Sequence, residues 1–364
     1  MSTREIDLPI VASPEGGEIG GLWRLAQGVS VVAAVSVVLL LLLQPELGLY
    51  LTWSVLIPAV PALLLIAPRV WRNLCSISVA HQLPRVLGRG GKRRLGERTQ
   101  RWDPGIAVAG LFLIVPLRHV LFNESGLALA LFVLAVLGVA LVGGLAFAGK
   151  SGWCASFCPV GPVEKLYEQD PIVHPSHAHC ATCIGCTDAC FDRDGPQAVN
   201  VLLGADGHTA GVNGLGDGGR RRGLLRTPTG VFTAAFPGFV LGYFTITPPI
   251  EIGSLYLHMA LFVLASVALF ALGDRLLGAR VTPSARAAAA AAAGLYYWFT
   301  VPAVIVAAEA MWGLGPAPDW LPIAGQAVLL GLVGFWWLGK PVIGARSRRD
   351  TQAKRLRPNA PSGS

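Results

Sequence analysis

An all-α polytopic membrane fold is expected from three features of this 364-residue sequence. Its charged fraction is 14%, where an ordinary soluble domain carries about 25%. Its apolar residues, 53% of the chain, gather into blocks long enough to cross a bilayer rather than into alternating stripes. Its basic residues fall in alternate connections between those blocks, as the positive-inside rule requires. A mean hydropathy of +0.56 argues against a soluble cytosolic enzyme. The net charge of +8 is better explained by membrane orientation than by nucleic acid, because the basic residues flank the apolar runs.

Taken in order, the apolar runs predict eight spans at 26–44, 48–67, 105–122, 126–147, 229–248, 254–273, 287–311 and 321–339. Pro58, Pro61, Pro116, Pro237 and Pro302 lie inside them and mark kinks, tolerated where neighbouring helices re-satisfy the freed backbone groups. The first 25 residues hold Glu5, Asp7, Glu15 and Glu18 but only Arg4 and Arg24, so they lack the basic start of a secretory signal. The first helix is therefore expected to be retained. With the N-terminus inside, every one of the 29 Lys and Arg residues except Arg118 falls on one face. By the positive-inside rule that face is cytoplasmic, with both termini on it. The chain then divides into a cytoplasmic segment 1–25, membrane helices 26–147 with a basic loop 69–103, a cytoplasmic segment 148–228, membrane helices 229–339 and a basic tail 340–364.

Six of the seven cysteines crowd into the cytoplasmic segment, where thiols stay reduced and metal binding is favoured over disulfides. Cys180, Cys183, Cys186 and Cys190 have the bacterial ferredoxin spacing C-x-x-C-x-x-C-x-x-x-C, whose first three thiolates hold one cubane. Zinc more usually shows two separated C-x-x-C pairs. Cys154, Cys158 and Pro159 read as the end of a second, degenerate copy of the motif. The expected [4Fe-4S] site is then Cys180, Cys183, Cys186 and the remote Cys158, with Cys154 and Cys190 left for a second cluster. Trp71-Arg-Asn-Leu-Cys75 aligns with Cys154-Ala-Ser-Phe-Cys158, each after a helix pair, so Cys75 is a third candidate thiolate for that second cluster. A vestigial buried cysteine is the competing reading of Cys75.

On these motifs the stretch 50–195 resembles the membrane-bound ferredoxin-type 4Fe-4S proteins, the NapH, NosR, MauN and CcoG group. The resemblance implies a bacterial inner-membrane protein with a cytoplasmic ferredoxin-like iron–sulfur loop segment. It implies electron transfer between a quinone pool or soluble donor and a redox protein partner, as a quinol-linked oxidoreductase component. The alternative it implies is a redox-sensing or metalloenzyme-assembly protein carrying the same cluster. The sequence departs from the group's pattern where Trp71 replaces a cysteine, where Phe191 rather than proline follows Cys190, and in lacking a second full run.

Polar residues within a bilayer are functional suspects because burying them is costly. Arg118 and His119 in the third span, His258 in the sixth and Glu309 in the seventh all fall near the outer face. They suggest a quinone site there, with a haem b on His119 and His258 as the rival and simple snorkelling to the interface as the bland reading. Such a site would lie most of a hydrocarbon core of about 30 Å from a cytoplasmic cluster. His174, His177 and His179 precede Cys180 in a loop, and the glycine-rich stretch 204–223 reads as a linker. No nucleotide fingerprint, Ser-His-Asp set or carboxylate pair emerges, and a transporter leaves the cysteine run unexplained.

Overall fold

The structure is a computed structural model, and it describes residues 18–91, 93, 97–147, 153, 154, 156–169, 171–173, 225, 227–247, 251–277 and 281–338. All regular elements among these are helical. They run α1 (Glu18–Leu43), α2 (Pro45–Ile66), α3 (Pro68–Leu74), α4 (Ser76–Val86), α5 (Glu97–Ile114), α6 (Gly126–Ala146), α7 (Gly161–Tyr167), α8 (Pro228–Phe244), α9 (Ile252–Leu277), α10 (Val281–Trp312) and α11 (Trp320–Leu338). A 3₁₀ turn, Pro116–His119, follows α5.

Prolines and caps explain where several of these elements bend, start and stop. In α2 the turn Leu51–Leu56 widens to a π-helix just ahead of Pro58, whose ring cannot donate a hydrogen bond and would collide with the carbonyl a turn earlier. The Thr52 hydroxyl donates to the Gly48 carbonyl at 2.8 Å beside that widened turn. Helix α6 starts at Ser125, whose Oγ accepts from the Ala128 N–H at 3.1 Å. Helix α8 starts the same way at Thr227, with Oγ1 3.0 Å from the Gly230 N–H and Pro228 in the first helical position.

Six helical stretches are long and apolar enough to cross a membrane: Gly21–Leu43, Pro45–Ile66, Gly126–Ala146, Ile252–Leu276, Ser284–Trp312 and Trp320–Leu338. The protein is thus an all-α polytopic membrane protein, but two of the eight expected spans are revised. The third, expected over 105–122, is a shorter apolar stretch, Pro104–His119, because the helix ends at Ile114 and the chain tightens at Pro116. The fifth, expected over 229–248, is the 17-residue α8, most of whose side chains are buried inside the bundle. No discrete ferredoxin-like loop domain occurs among the described residues, and 174–224 lie outside them.

Helix α8 is the axis on which the second half packs. A side chain at Gly238 would run into the Phe262 carbonyl and Ser266 of α9, so glycine is what lets the two backbones touch. Ser266 Oγ donates to the Ala234 carbonyl across that contact at 2.7 Å. On its other side Phe239 stacks on Phe112 of α5 with ring centres 4.4 Å apart. The main core joins these to Leu64, Leu65, Leu166, Tyr297 and Trp336. A smaller cluster of Val38, Leu41, Phe122, Leu129 and Ala130 joins α1 to α6. Leu22, Val29, Leu131, Leu261, Leu264 and Val328 point outward, as a lipid-facing surface requires.

The bundle has two chemically different ends. One gathers Trp53, the 116–126 connection, Tyr243, Thr245 and His258. The other gathers α3, α4, α7 and Arg286: Gln27 and Ser30 of α1 bond the Asn73 and Leu74 carbonyls, and the Tyr167 hydroxyl donates to the Ala289 carbonyl at 3.1 Å. The described basic residues of the 69–93 loop fall at this second end.

Candidate functional site

The polar residues at the first end converge on Arg118. The 3₁₀ turn at Pro116 swings Arg118 and His119 back against α2 and α8 rather than letting them continue along a helix. The Arg118 guanidinium carbon lies 4.3 Å from the centre of the Trp53 ring and 6.0 Å from that of Tyr243. Its Nε donates to Asn123 Oδ1 at 2.8 Å. Trp53 is held in place by its own Nε1–H, which donates to the Phe122 carbonyl at 3.1 Å. No carboxylate pairs with Arg118 among the described residues.

His119 lies against Tyr243, ring centres 4.5 Å apart, with its Nε2 3.2 Å from the Tyr243 carbonyl. A carbonyl only accepts, so His119 carries its proton on Nε2. His258 Nε2 lies 3.0 Å from Thr245 Oγ1, whose hydroxyl donates to the Leu241 carbonyl at 2.9 Å. The same hydroxyl also lies 3.2 Å from the Gly242 carbonyl, so it ties His258 to the end of α8. Both histidines are therefore tied to the last turn of α8. Glu309 is not part of this group: its Oε1 accepts from the Ala317 N–H at 2.5 Å and caps the connection after α10. Of the four residues expected to share a site, Arg118 and His119 both lie against Tyr243, His258 is bonded two residues further on at Thr245, and Glu309 is bonded elsewhere.

Haem b does not fit these residues. Both Nε2 atoms are bonded at the end of α8 rather than turned to a shared iron, and the expectation of a haem held by His119 and His258 is corrected.

The second end holds the described cysteines and a buried ionic group. Arg72 Nη2 lies 2.7 Å from Glu168 Oε2 while its Nε pairs with Glu164, and Arg69 Nε lies 3.3 Å from Glu168 Oε1. These bonds clamp α3 to α7. The Glu168 side chain is fully buried, and that burial pushes its carboxyl up to about 7 even though both arginines pull it down. Cys158 precedes α7, and its thiol is pushed up to about 12, chiefly by burial, then by the nearby Cys75 and Glu164. Cys75 closes α3 and opens α4, and Trp71, at the position that aligns with Cys154, packs on the core.

The iron–sulfur reading is overturned by this arrangement. Among the described residues no group of three or more His, Cys, Asp or Glu side chains can hold a metal ion. Glu164 and Glu168 are spent on arginines. Cys75, Cys154 and Cys158 form no such group, and Cys180, Cys183, Cys186 and Cys190 lie outside the described residues. The expected [4Fe-4S] cluster, its second companion, the electron-relay function and the cluster-bearing sensor or assembly alternative are corrected accordingly.

The ionic clamp escaped sequence reasoning. Its signal was present as two arginines three residues apart just after an apolar run, and two glutamates four apart, Glu164 inside a seven-residue helix and Glu168 at its C-terminal cap. Tyr243 gave no signal, being one more aromatic in an apolar stretch.

No protein-family model matches this chain, and no match to it was found among the curated proteins or the solved structures compared with it. The resemblance to membrane-bound ferredoxin-type proteins is therefore supported neither by a matching relative nor by a metal-binding group among the described residues, and the chain stands as a multi-spanning helical membrane protein.

Proposed function

We propose that this protein binds a membrane-dissolved, carbonyl-bearing ligand of the quinone class at Arg118, at the extracytoplasmic end of its bundle. The observation that carries this reading is the Arg118 guanidinium itself. It sits half-buried over Trp53 at 4.3 Å with no described carboxylate to neutralise it. A charge in a membrane protein is costly unless partnered, and cation–π contact with two rings supplies only part of what a carboxylate would. The guanidinium N–H groups left after Asn123 and the Tyr243 hydroxyl suit an acceptor oxygen, and the flanking aromatic rings suit a flat ligand. His119 lies beside it, with Nε2–H held by the Tyr243 carbonyl and Nδ1 as its other polar atom.

The orientation rests on charge. The described basic residues of the 69–93 loop gather at the opposite end, which the positive-inside rule places in the cytoplasm, so Arg118 lies toward the far leaflet. Exposed Trp312 and Trp320, flanking the 313–319 connection, suit an interfacial anchor at that end.

Equilibrium binding of a decyl-tailed benzoquinone to the purified protein in mild detergent tests the reading. Saturable binding is expected in the wild type, weakened about tenfold or more in Arg118→Gln, the scale of one lost charge-assisted hydrogen bond. Absence of saturable binding, or equal binding by the variant, overturns it.

A further inference from the structure

At the opposite end the chain builds a second surface that the Arg118 site does not use. Helix α4 lies along the last turns of α6. His81 Nδ1 is 2.8 Å from the Ala140 carbonyl, and Ala140 precedes the end of α6 at Ala146 by roughly 9 Å of helix. Pro84 lies close to Gly144, one turn nearer that end. The face of α4 turned away from α6 is apolar and open: Leu83, Val86 and Leu87 are 44%, 79% and 64% exposed. Spaced i, i+3, i+4, they form one stripe. They stand level with the final turns of a membrane span, so lipid chains are their solvent.

Helix α4 then stops at a Schellman turn. Gly88 has φ +72°, its N–H donates to the Arg85 carbonyl at 2.9 Å, and the Arg89 N–H donates to the Pro84 carbonyl at 2.7 Å. A residue with a side chain would be strained at that φ, so glycine lets the chain turn here. The returning strand is fastened to the end of α6: the Gly91 N–H donates to the Gly144 carbonyl at 3.0 Å, and Arg93 bridges Phe147. Arg89 and Arg93 are thereby fixed, exposed, where α6 leaves the apolar layer, directly beyond the Leu83–Leu87 stripe. No carboxylate pairs with Arg85, Arg89 or Arg93 among the described residues.

An apolar stripe at chain depth, capped by unpaired guanidinium groups at head-group depth, matches one kind of partner. We propose that α4, the 88–91 turn and Arg93 form a binding site for an anionic phospholipid, its phosphate on Arg89 and Arg93 and its acyl chain along Leu83, Val86 and Leu87. The site is independent of the ligand proposed at Arg118. Basic residues at a membrane surface attract anionic lipid with an energy that sums over charges, and Arg89 and Arg93 supply two of them.

Native mass spectrometry of the detergent-solubilised protein, titrated with phosphatidylglycerol or phosphatidylcholine of identical chains, tests the proposal. Phosphatidylglycerol is expected to bind about tenfold more tightly. The pair Arg89→Gln and Arg93→Gln should bring it down to the phosphatidylcholine level, and the pair Arg89→Lys and Arg93→Lys should retain most of the preference. Both pairs should melt with the wild type and keep benzoquinone binding, which separates failure here from failure at Arg118. Equal binding of the two lipids by the wild type overturns the proposal, as does a preference that survives the glutamine pair. Displacement of the lipid by millimolar glycerol phosphate would show a site for free phosphate and overturn it as well.

Discussion

The two ends of this bundle both hold arginine away from water, and they neutralise it by opposite means. At the α3–α7 end, Arg69 and Arg72 share the buried Glu164 and Glu168, and charge is matched by charge. At the far end, Arg118 meets Trp53, Tyr243 and Asn123 instead. A closed ionic group has no valence left for a ligand and serves to hold elements together. An aromatic enclosure around a lone guanidinium leaves donors free. The first is therefore read as architecture and the second as a site.

The sharpest way to break this comparison is to remove one charge from each end. Glu168→Ala leaves two buried arginines with one of their two described carboxylates and is expected to cost about 3–5 kcal/mol, the penalty for an uncompensated buried charge. Thermal or denaturant unfolding in detergent measures it. Arg118→Gln should do the reverse, lowering benzoquinone affinity about tenfold while changing stability by less than about 1 kcal/mol, since no described partner carboxylate is orphaned. If Arg118→Gln instead unfolds the protein and Glu168→Ala does not, the assignment of roles to the two ends is inverted.

The pH dependence sharpens the same contrast. The Glu168 carboxyl rises from an ordinary value of about 4.5 to about 7 on folding, so between those values the folded protein binds more protons than the unfolded chain. Stability from this group is complete below about pH 4.5 and is lost as pH rises through about 7. Subtracting the pH–stability curve of Glu168→Gln from that of the wild type should isolate this falling limb. Cys158 offers a labelling test: a partly exposed thiol pushed up to about 12 should react with maleimide at neutral pH far more slowly in the folded protein than in the unfolded chain, as read by peptide mapping. The smallest effect expected is that of Ser125→Ala, about 1 kcal/mol from the lost cap of α6.

Much of the membrane architecture was legible because hydrophobic blocks and loop charge are local properties. Spans one, two, four, six, seven and eight follow directly from apolar runs. The third and fifth did not follow, for different reasons. Pro116 breaks the third run after α5, and apolarity alone does not distinguish a lipid-facing helix from α8, which is apolar because protein surrounds it. At the candidate site, Arg118, His119 and His258 were recognisable as polar residues within apolar runs. Glu309 was recognisable in the same way and proved to be a loop cap, because depth along a helix does not say which way a side chain is bonded. The cysteine spacing was the most specific pattern in the sequence, yet Cys75, Cys154 and Cys158 belong to no metal-holding group among the described residues.

By itself the sequence determined that this chain is helical, membrane-embedded and charged asymmetrically, since each of these depends on composition within windows of about 20 residues. Only the tertiary structure decided that α8 is an interior axis, that Arg69 and Arg72 are spent on Glu164 and Glu168, and that Arg118 is left to Trp53 and Tyr243. The partners of those charges lie some 65 to 125 residues away along the chain. At such separations no periodicity links them, and the energy of a buried charge depends on which group faces it rather than on where it stands in the sequence.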